Sequence, residues 1–331
     1  MKIAVTGGAG YIGAHVVKLL LARGDDVVIV DDLVTGNSRR VEGVPIVQLD
    51  IARAGAEDLL TDLFLEQKTE AVFHFAGRKQ VSESVAEPTW YYQQNVGGFA
   101  QLLAAMRRAR VLQLINSSSA AVYGAVVGDS IDETARCAPI NPYGETKLTG
   151  EWLAAAAADA FGMNIISLRY FNVAGAGAPT LGDNQALNLF PMVFDRIEAG
   201  LPPLVFGDDY PTPDGTCVRD YVHVQDLAEA HVAALEALPV RPGHTIYNIG
   251  TGDGNSVLEV IDAIASASGI DIAPSVEPRR AGDPARVVAS AVKAKTDLNW
   301  EARHSLTEIA RSAWQARVAQ RKSDASSSPP R

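Results

Sequence analysis

Cysteine is scarce: the 331 residues include two, Cys137 and Cys217. Two cysteines make neither a disulfide framework nor a metal cluster, and a reducing cytoplasm is the compartment they suggest. Long apolar runs are missing too, so no stretch approaches a membrane span. The first apolar segment is broken by Gly7, Gly8, Gly10 and Gly13, which suits a strand, a turn and a helix and not a secretory leader. Basic charge is in deficit. Lysine and arginine total 29 against 39 acidic residues, for a net charge of −10. Nucleic acid and anionic membranes are thereby excluded as main partners, because binding them needs a basic surface. The six histidines show no metal-ligand spacing, so no metal is expected, and His223 and His231 read as structural. The remainder is a folded α/β chain, 47% hydrophobic and 21% charged, and too long for one ordinary core.

The pattern that is present begins at the N-terminus. Ile3 to Thr6 is a short buried-type strand that enters Gly7-Gly8-Ala9-Gly10-Tyr11-Ile12-Gly13, and a helical pattern follows. Glycines here allow a tight turn and a close backbone approach to a pyrophosphate, while the helix N-terminus offers N–H groups and partial positive charge. A second strand, Val27 to Val30, ends in Asp31-Asp32. A carboxylate there can accept hydrogen bonds from a ribose diol and repels a 2′-phosphate, so the cofactor expected is NAD and not NADP. Strand and helix then alternate: Pro45 to Leu49, a helix over Ala56 to Gln67, Ala71 to Phe75, a helix over Thr89 to Arg108 carrying Asn95, and Val111 to Ile115. The strands are almost wholly apolar, as a parallel sheet covered on both faces requires. Small residues at Ala76-Gly77 would let a ligand approach the strand end, and Lys79 lies just beyond. The fifth strand runs into the serine-rich turn Asn116 to Ser119.

The next helix, 142–160, carries the chemistry. Asn141 can cap it and Pro142 can start it, which places Tyr143 and Lys147 one turn apart on a single face. An ammonium ~4 Å from a phenol, at an effective dielectric of ~20, is worth roughly 4 kcal/mol, enough to lower the phenol's pKa by about three units. Tyr143 is then a general base at neutral pH, with Ser119 as the hydroxyl aimed at the same reacting oxygen. The alanine run Ala154 to Ala158 admits either close packing by a second helix or simple seating against the sheet.

In this order, the glycine turn, the acidic strand end, the serine-rich turn and Tyr-x-x-x-Lys resemble the extended short-chain dehydrogenase/reductase family. Within it the chain resembles the UDP-galactose (UDP-glucose) 4-epimerases over roughly residues 1 to 320. The carrying stretches are Thr6 to Gly13, His74 to Gly77, Ser117 to Gly124, Arg169 to Gly175 and, most narrowly, Phe206 to Tyr221. The resemblance implies a Rossmann-like doubly wound sheet with a smaller C-terminal α+β substrate lobe. It implies tightly bound NAD held by Gly7, Gly10, Tyr11, Ile12, Gly13, Asp31, Asp32, Leu33, Asp50 and Ile51. Phe75, Ala76, Gly77, Lys79, Asn95, Ser117, Tyr143, Lys147, Tyr170 and Phe171 complete that set. Ser119, Tyr143 and Lys147 are the implied catalytic residues. A homodimer pairing helices 89–108 and 142–160 is implied as well.

Beyond Gly175 the regular alternation stops. Residues 1–175 read as the NAD-binding domain, to which 222–250 returns with the strand His244 to Ile249, and 176–321 as a substrate lobe. Ser256-x-x-Glu259 is a capping box, and the tail 322–331 reads as disordered. A uridine diphosphate needs cations, and Arg219, Arg279 and Arg280 are the candidates, arginine being suited to phosphate. The resemblance assigns nucleotide or sugar contacts to Lys79, Ser119, Tyr143, Asn172, Asn188, Leu189, Leu204, Val205, Phe206, Arg219, Arg280 and Asp283. It also aligns Val287 with a position that gates bulky sugars. A valine there opens space, and N-acetylated hexosamines are expected as additional substrates. The implied reaction is reversible oxidation of a UDP-hexose at C4 through a 4-keto sugar. Other UDP-hexosamine, pentose or hexuronate 4-epimerases share these features. A 4,6-dehydratase needs an acid/base pair after Ser119, where Ala120-Ala121 stand. A regulator that only binds NAD would have no use for Tyr143 and Lys147.

Overall fold

The computed structural model describes every residue except Val127, Asn184, Ala186, Leu187, Ala281 and 328–331. Six parallel strands form its frame: β1 (Lys2–Thr6), β2 (Asp26–Asp31), β3 (Ile46–Gln48), β4 (Ala71–His74), β5 (Gln113–Ser117) and β6 (Asn164–Tyr170). Three short strands follow, β7 (Asn172–Ala174), β8 (Leu204–Phe206) and β9 (Val218–His223), before β10 (His244–Ile249). β10 pairs in parallel with β6, register Ile246 to Ser167, and completes a seven-stranded sheet of order β10-β6-β5-β4-β1-β2-β3. Strand order reverses between β1 and β4, and such a switch opens a crevice at the strands' carboxyl ends.

Burial explains why apolar runs became strands. All four residues of β4 are buried, because helices cover both sheet faces. On one face lie α1 (Tyr11–Ala22) and α8 (Val224–Ala237), with Val16, Leu20, Leu227 and Leu235 in one cluster; on the other lie α2 (Ala56–Gln67), α5 (Gly98–Ala109) and α6 (Pro142–Phe161), joined by Leu60, Phe64, Leu102 and Ala154. The helix expected over Thr89 to Arg108 is instead composite. After the short α3 (Val81–Ala86), α4 (Pro88–Tyr91) passes through a π-helical turn, Tyr92–Gly97, into α5. The extra residue swings Asn95 inward, where it bonds Arg78 and Thr146.

The second lobe is built from short pieces. β11 (Gly254–Ser256) and β13 (Arg286–Val287) flank β9, which also pairs with β7, while β12 (Ser275–Glu277) pairs with β8. Against them pack α7 (Leu189–Glu198), α9 (Val257–Ser268) and α11 (Leu306–Ser327), through Phe190, Phe194, Ile261, Ile264 and Ile309. α10 (Val292–Leu298) returns to the first sheet, with Ala294 and Leu298 in that core. Ser256 and Glu259 form both halves of a capping box at α9. The tail departs from expectation, since α11 continues to Ser327: elongating a formed helix costs little, so polar composition alone did not end it. Residues 328–331 lie outside the described residues. Among the described residues both cysteines are free and no helix is long and apolar enough to cross a membrane.

Candidate functional site

At the carboxyl ends of β1, β2 and β4 the glycine turn shapes a cavity of about 170 Å³. Gly7 has φ +73°, and a Cβ on it would lie 2.6 Å from the Ala76 amide nitrogen. A Cβ on Gly13 would lie 2.3 Å from the Gly7 carbonyl oxygen, so turn and helix can meet only as glycines. Gly10, Tyr11, Ile12, Asp31, Asp32, Asp50, Ile51, Phe75, Ala76, Gly77, Lys79, Ser117, Tyr143, Lys147 and Tyr170 line the same cavity. Asp31 accepts hydrogen bonds from the amides of Ala9 (3.0 Å) and Leu33 (2.9 Å). Burial pushes its pKa up, against the pull of those two N–H groups. Each of its oxygens keeps acceptor capacity toward the cavity.

Three expected cofactor contacts lie elsewhere. Leu33 is a positive-φ turn residue whose amide serves Asp31. Asn95 lies behind the wall: its amide group spans the Arg78 backbone (2.7 and 3.0 Å) and the Thr146 hydroxyl (3.0 Å), so it shapes the Gly77–Lys79 loop. Phe171 lines the neighbouring cavity instead. In their place Thr35, Gly36, Arg40, Arg78, Gln94 and Asp183 reach the cleft. Thr35, Gly36, Arg78 and Asp183 sit in loops, Arg40 in a 3-10 turn and Gln94 in the π-turn, where no regular periodicity marks them. The basic charge at Arg40 and Arg78 was the one signal available.

Tyr143 lines both this cleft and a second cavity of about 620 Å³. It stands on the first turn of α6, whose start is fixed by the Asn141 side chain accepting the Gly144 amide at 2.9 Å. Ser119 lines the second cavity, and its hydrogen bond lowers the Tyr143 pKa. Here the Coulomb argument needs correcting. Burial outweighs that bond and leaves the Tyr143 phenol above its ordinary value. Lys147 donates to the Ser117 carbonyl at 2.8 Å. Burial drives its own pKa down to about 8, with Glu151 opposing. Lys147 therefore stays largely protonated at neutral pH, and it is the burial of the phenol itself that sets the direction of the Tyr143 shift. Beneath α6, Glu151 accepts from Ser118 (2.5 Å) and pairs with buried Arg169 (2.5 Å), which fixes the serine turn from behind. Sequence reasoning had not marked this pair.

The second cavity gathers Lys79, Asn172, Asn188, Leu189, Leu204, Val205, Phe206, Arg219, Arg280 and Asp283. The Arg280 guanidinium lies 3.7 Å from the Phe206 ring centroid, and Arg219 reaches Asp283 at 3.5 Å. Asn188 donates to Asp183 Oδ2 at 2.8 Å, and its own Oδ1 is buried without a partner among the described residues. Arg279 turns away, pairing with Asp209 and covering Tyr210. Val287 is not in the wall. Its backbone is paired with Arg219 in β13, and its side chain packs on the Val122, Tyr123 and Ile131 cluster. The expectation of hexosamine acceptance thus rests on the aligned position alone and not on a place in this wall. Met192, Arg196, Cys217, Tyr221 and Val257 also line it, none of them named as a contact by the sequence. His231 donates to the Leu227 carbonyl at 2.8 Å, and His223 accepts the Gln225 amide at 2.9 Å as a helix cap. Among the described residues no group of three His, Cys, Asp or Glu could hold a metal.

Known proteins with this arrangement agree. A family model described as the NAD dependent epimerase/dehydratase family matches residues 3–250. The UDP-glucose 4-epimerase of Corynebacterium glutamicum is 43% identical over 319 residues, covering 95% of each chain. A UDP-glucose-4-epimerase structure from Stenotrophomonas maltophila, with bound NAD and formylated UDP-arabinopyranose, has TM-score 0.93 at 41% identity, covering 98% of this chain and 99% of that one. The Brucella ovis enzyme in complex with NAD has TM-score 0.90 at 40% identity, covering 94% and 97%. With glycine cradle, acidic strand end and Tyr-Lys helix in one cleft, the chain belongs to the NAD dependent epimerase/dehydratase family.

Proposed function

We propose that this protein interconverts UDP-glucose and UDP-galactose by reversible oxidation at C4 of the sugar. The observation that carries the reading is the position of Tyr143, which borders both cavities with Ser119 and Lys147 beside it. The smaller cleft suits a dinucleotide. Its cradle is one that a Cβ would fill, Asp31 presents acceptors for a ribose diol, and Ile12, Ile51 and Phe75 offer apolar wall to a ring. Bound NAD supplies the hydride acceptor and donor at C4.

This chain's residues do the rest. Tyr143 takes the proton of the 4-hydroxyl while Ser119 hydrogen-bonds the same oxygen, leaving a 4-keto sugar. Burial alone leaves the phenol a poor base, so its activation draws on positive charge in the cleft, from protonated Lys147 and from the oxidised cofactor. Arg219 and Arg280 hold the diphosphate, so the ketosugar can turn about its bonds to it and present its other face. Tyr143 then returns the proton. The turn after Ser119 is Ala120–Val122, with no carboxylate to remove a proton at C5, so a 4,6-dehydratase lacks its machinery.

The reading extends to a cytoplasmic homodimer. An apolar groove of about 440 Å³ between α5 and α6, lined by Leu103, Leu153, Ala157 and Phe161, supports it, as does Trp152, 64% exposed on α6. The test is direct: as-isolated protein should convert UDP-galactose to UDP-glucose without added reductant, and heat should release NAD from it. Parallel assays with UDP-N-acetylglucosamine, UDP-xylose and UDP-glucuronate define the sugar. Protein that carries NAD but leaves all four untouched overturns the reading.

A further inference from the structure

Asp32 follows β2 and Arg78 follows β4, two strands that flank β1 in the sheet. At about 4.8 Å per strand, some 10 Å of cleft separates the two strand ends, and the glycine turn lies between them. The side chains close that gap. Arg78 Nη2 donates to Asp32 Oδ2 at 2.6 Å, with the two side chains only 13% and 22% exposed. The arginine is held at every other point. Its Nε donates to Gln94 Oε1 at 3.2 Å, its guanidinium carbon lies 5.2 Å from the Trp90 ring centroid, and its backbone amide donates to Asn95 at 2.7 Å. Asp32, Arg78 and Gln94 all line the smaller cavity. A side chain anchored on one bank and ion-paired to the other bridges the opening.

We propose that Arg78 and Asp32 form a clasp over the cofactor cleft that sets how slowly NAD(H) leaves. The proposal rests on the epimerase reading, in which a cofactor lost while the sugar is oxidised would strand the ketone. The Arg78–Gln94–Trp90 contacts keep the guanidinium in its bridging position before the cofactor enters, so closing costs little ordering of a long side chain. The pair is partly shielded from solvent, so salt weakens it without abolishing it.

The test measures cofactor exchange. Holoenzyme loaded with isotopically labelled NAD is chased with unlabelled NAD, and retained label is followed by rapid desalting. Arg78→Leu and Asp32→Asn should each lose label about tenfold faster than wild type, a barrier change of about 1.4 kcal/mol. The double variant should be no faster than either single one, because one bond has been removed. About 1 M NaCl should hasten loss from wild type and leave Arg78→Leu unmoved. Exchange at the wild-type rate in both single variants, or effects that multiply in the double one, overturns the clasp. Wild-type protein that neither carries nor takes up NAD overturns the epimerase reading, and the clasp with it.

Discussion

The two cavities that meet at Tyr143 are built in opposite ways. The candidate cofactor cleft, about 170 Å³, is shaped around a glycine turn that no side chain can enter, with the Arg78–Asp32 ion pair in its lining. The sugar cavity, about 620 Å³, is made of side chains from separate short elements, β7, β8, β9 and α7 among them. Arg219, Arg280 and Asp283 line it together with Lys79, Asp183, Asp195 and Arg196, among apolar and amide side chains. On the proposed reading, a redox partner that must not leave lies in the rigid cleft, and a sugar that must turn over is anchored through its diphosphate while only its C4 oxygen meets Ser119 and Tyr143.

The largest effect should come at the junction. Tyr143→Phe removes the proton acceptor that the proposed reaction places at the junction of the cavities, and turnover of UDP-galactose should fall about a thousandfold. NAD content should be unchanged, since the cradle and Asp31 are intact. Loss of cofactor together with turnover would mean that the phenol serves the cleft and not the junction. That result would erase the division of labour.

The same contrast decides what could be read from residues alone. The cofactor half was legible because covered parallel strands must be apolar and a pyrophosphate cradle must be glycine, and both leave marks in sequence. Asp31, Gly7 and Gly13 could be placed before any fold was known. Arg40, Arg78 and Gln94 could not, because irregular and short-turn segments reach a cleft through three-dimensional closure. Asn95 was marked by the resemblance alone, and its partner is the Arg78 backbone, brought to it by a π-turn that no periodicity announces. At Val287 alignment fixes a position along the chain, whereas the pairing with Arg219 and the packing on Val122, Tyr123 and Ile131 come only with the fold. The tyrosine–lysine spacing gave the right neighbours and the wrong balance of energies, because burial cannot be summed from spacing.

Acid should separate the halves next. His15, His74 and His231 are buried in the cofactor half, and burial lowers them to about 4, about 3 and about 4. Their unfolded value is near 6.5, so between about pH 6.5 and pH 4 the unfolded chain binds protons that the folded chain refuses. Stability is therefore present above that window and lost as pH falls through it, by roughly 3 kcal/mol for a single such histidine. His231→Leu removes a ring whose Nε2 has no partner among the described residues. Its melting temperature should drop less than that of wild type between about pH 8 and pH 5. An equal drop would exclude His231 as a source of the acid sensitivity and leave it to His15 and His74.

The smallest effect should fall on the sugar side, where the anchor is shared. Arg219 lies against Asp283 and donates to the Val218 carbonyl at 2.9 Å, so its head is fixed before any ligand arrives. Arg219→Ala removes one charge-assisted hydrogen bond, worth about 1.5–3 kcal/mol, and should raise KM for UDP-galactose about ten- to a hundredfold. Since Arg280 still holds the diphosphate and Tyr143 is untouched, kcat should move far less. A loosened anchor should also let the ketosugar escape during its turn, leaving reduced cofactor that accumulates with repeated cycles. A variant that loses kcat at unchanged KM would show Arg219 acting on the reacting carbon, and the idea of a sugar anchored through its diphosphate would fail.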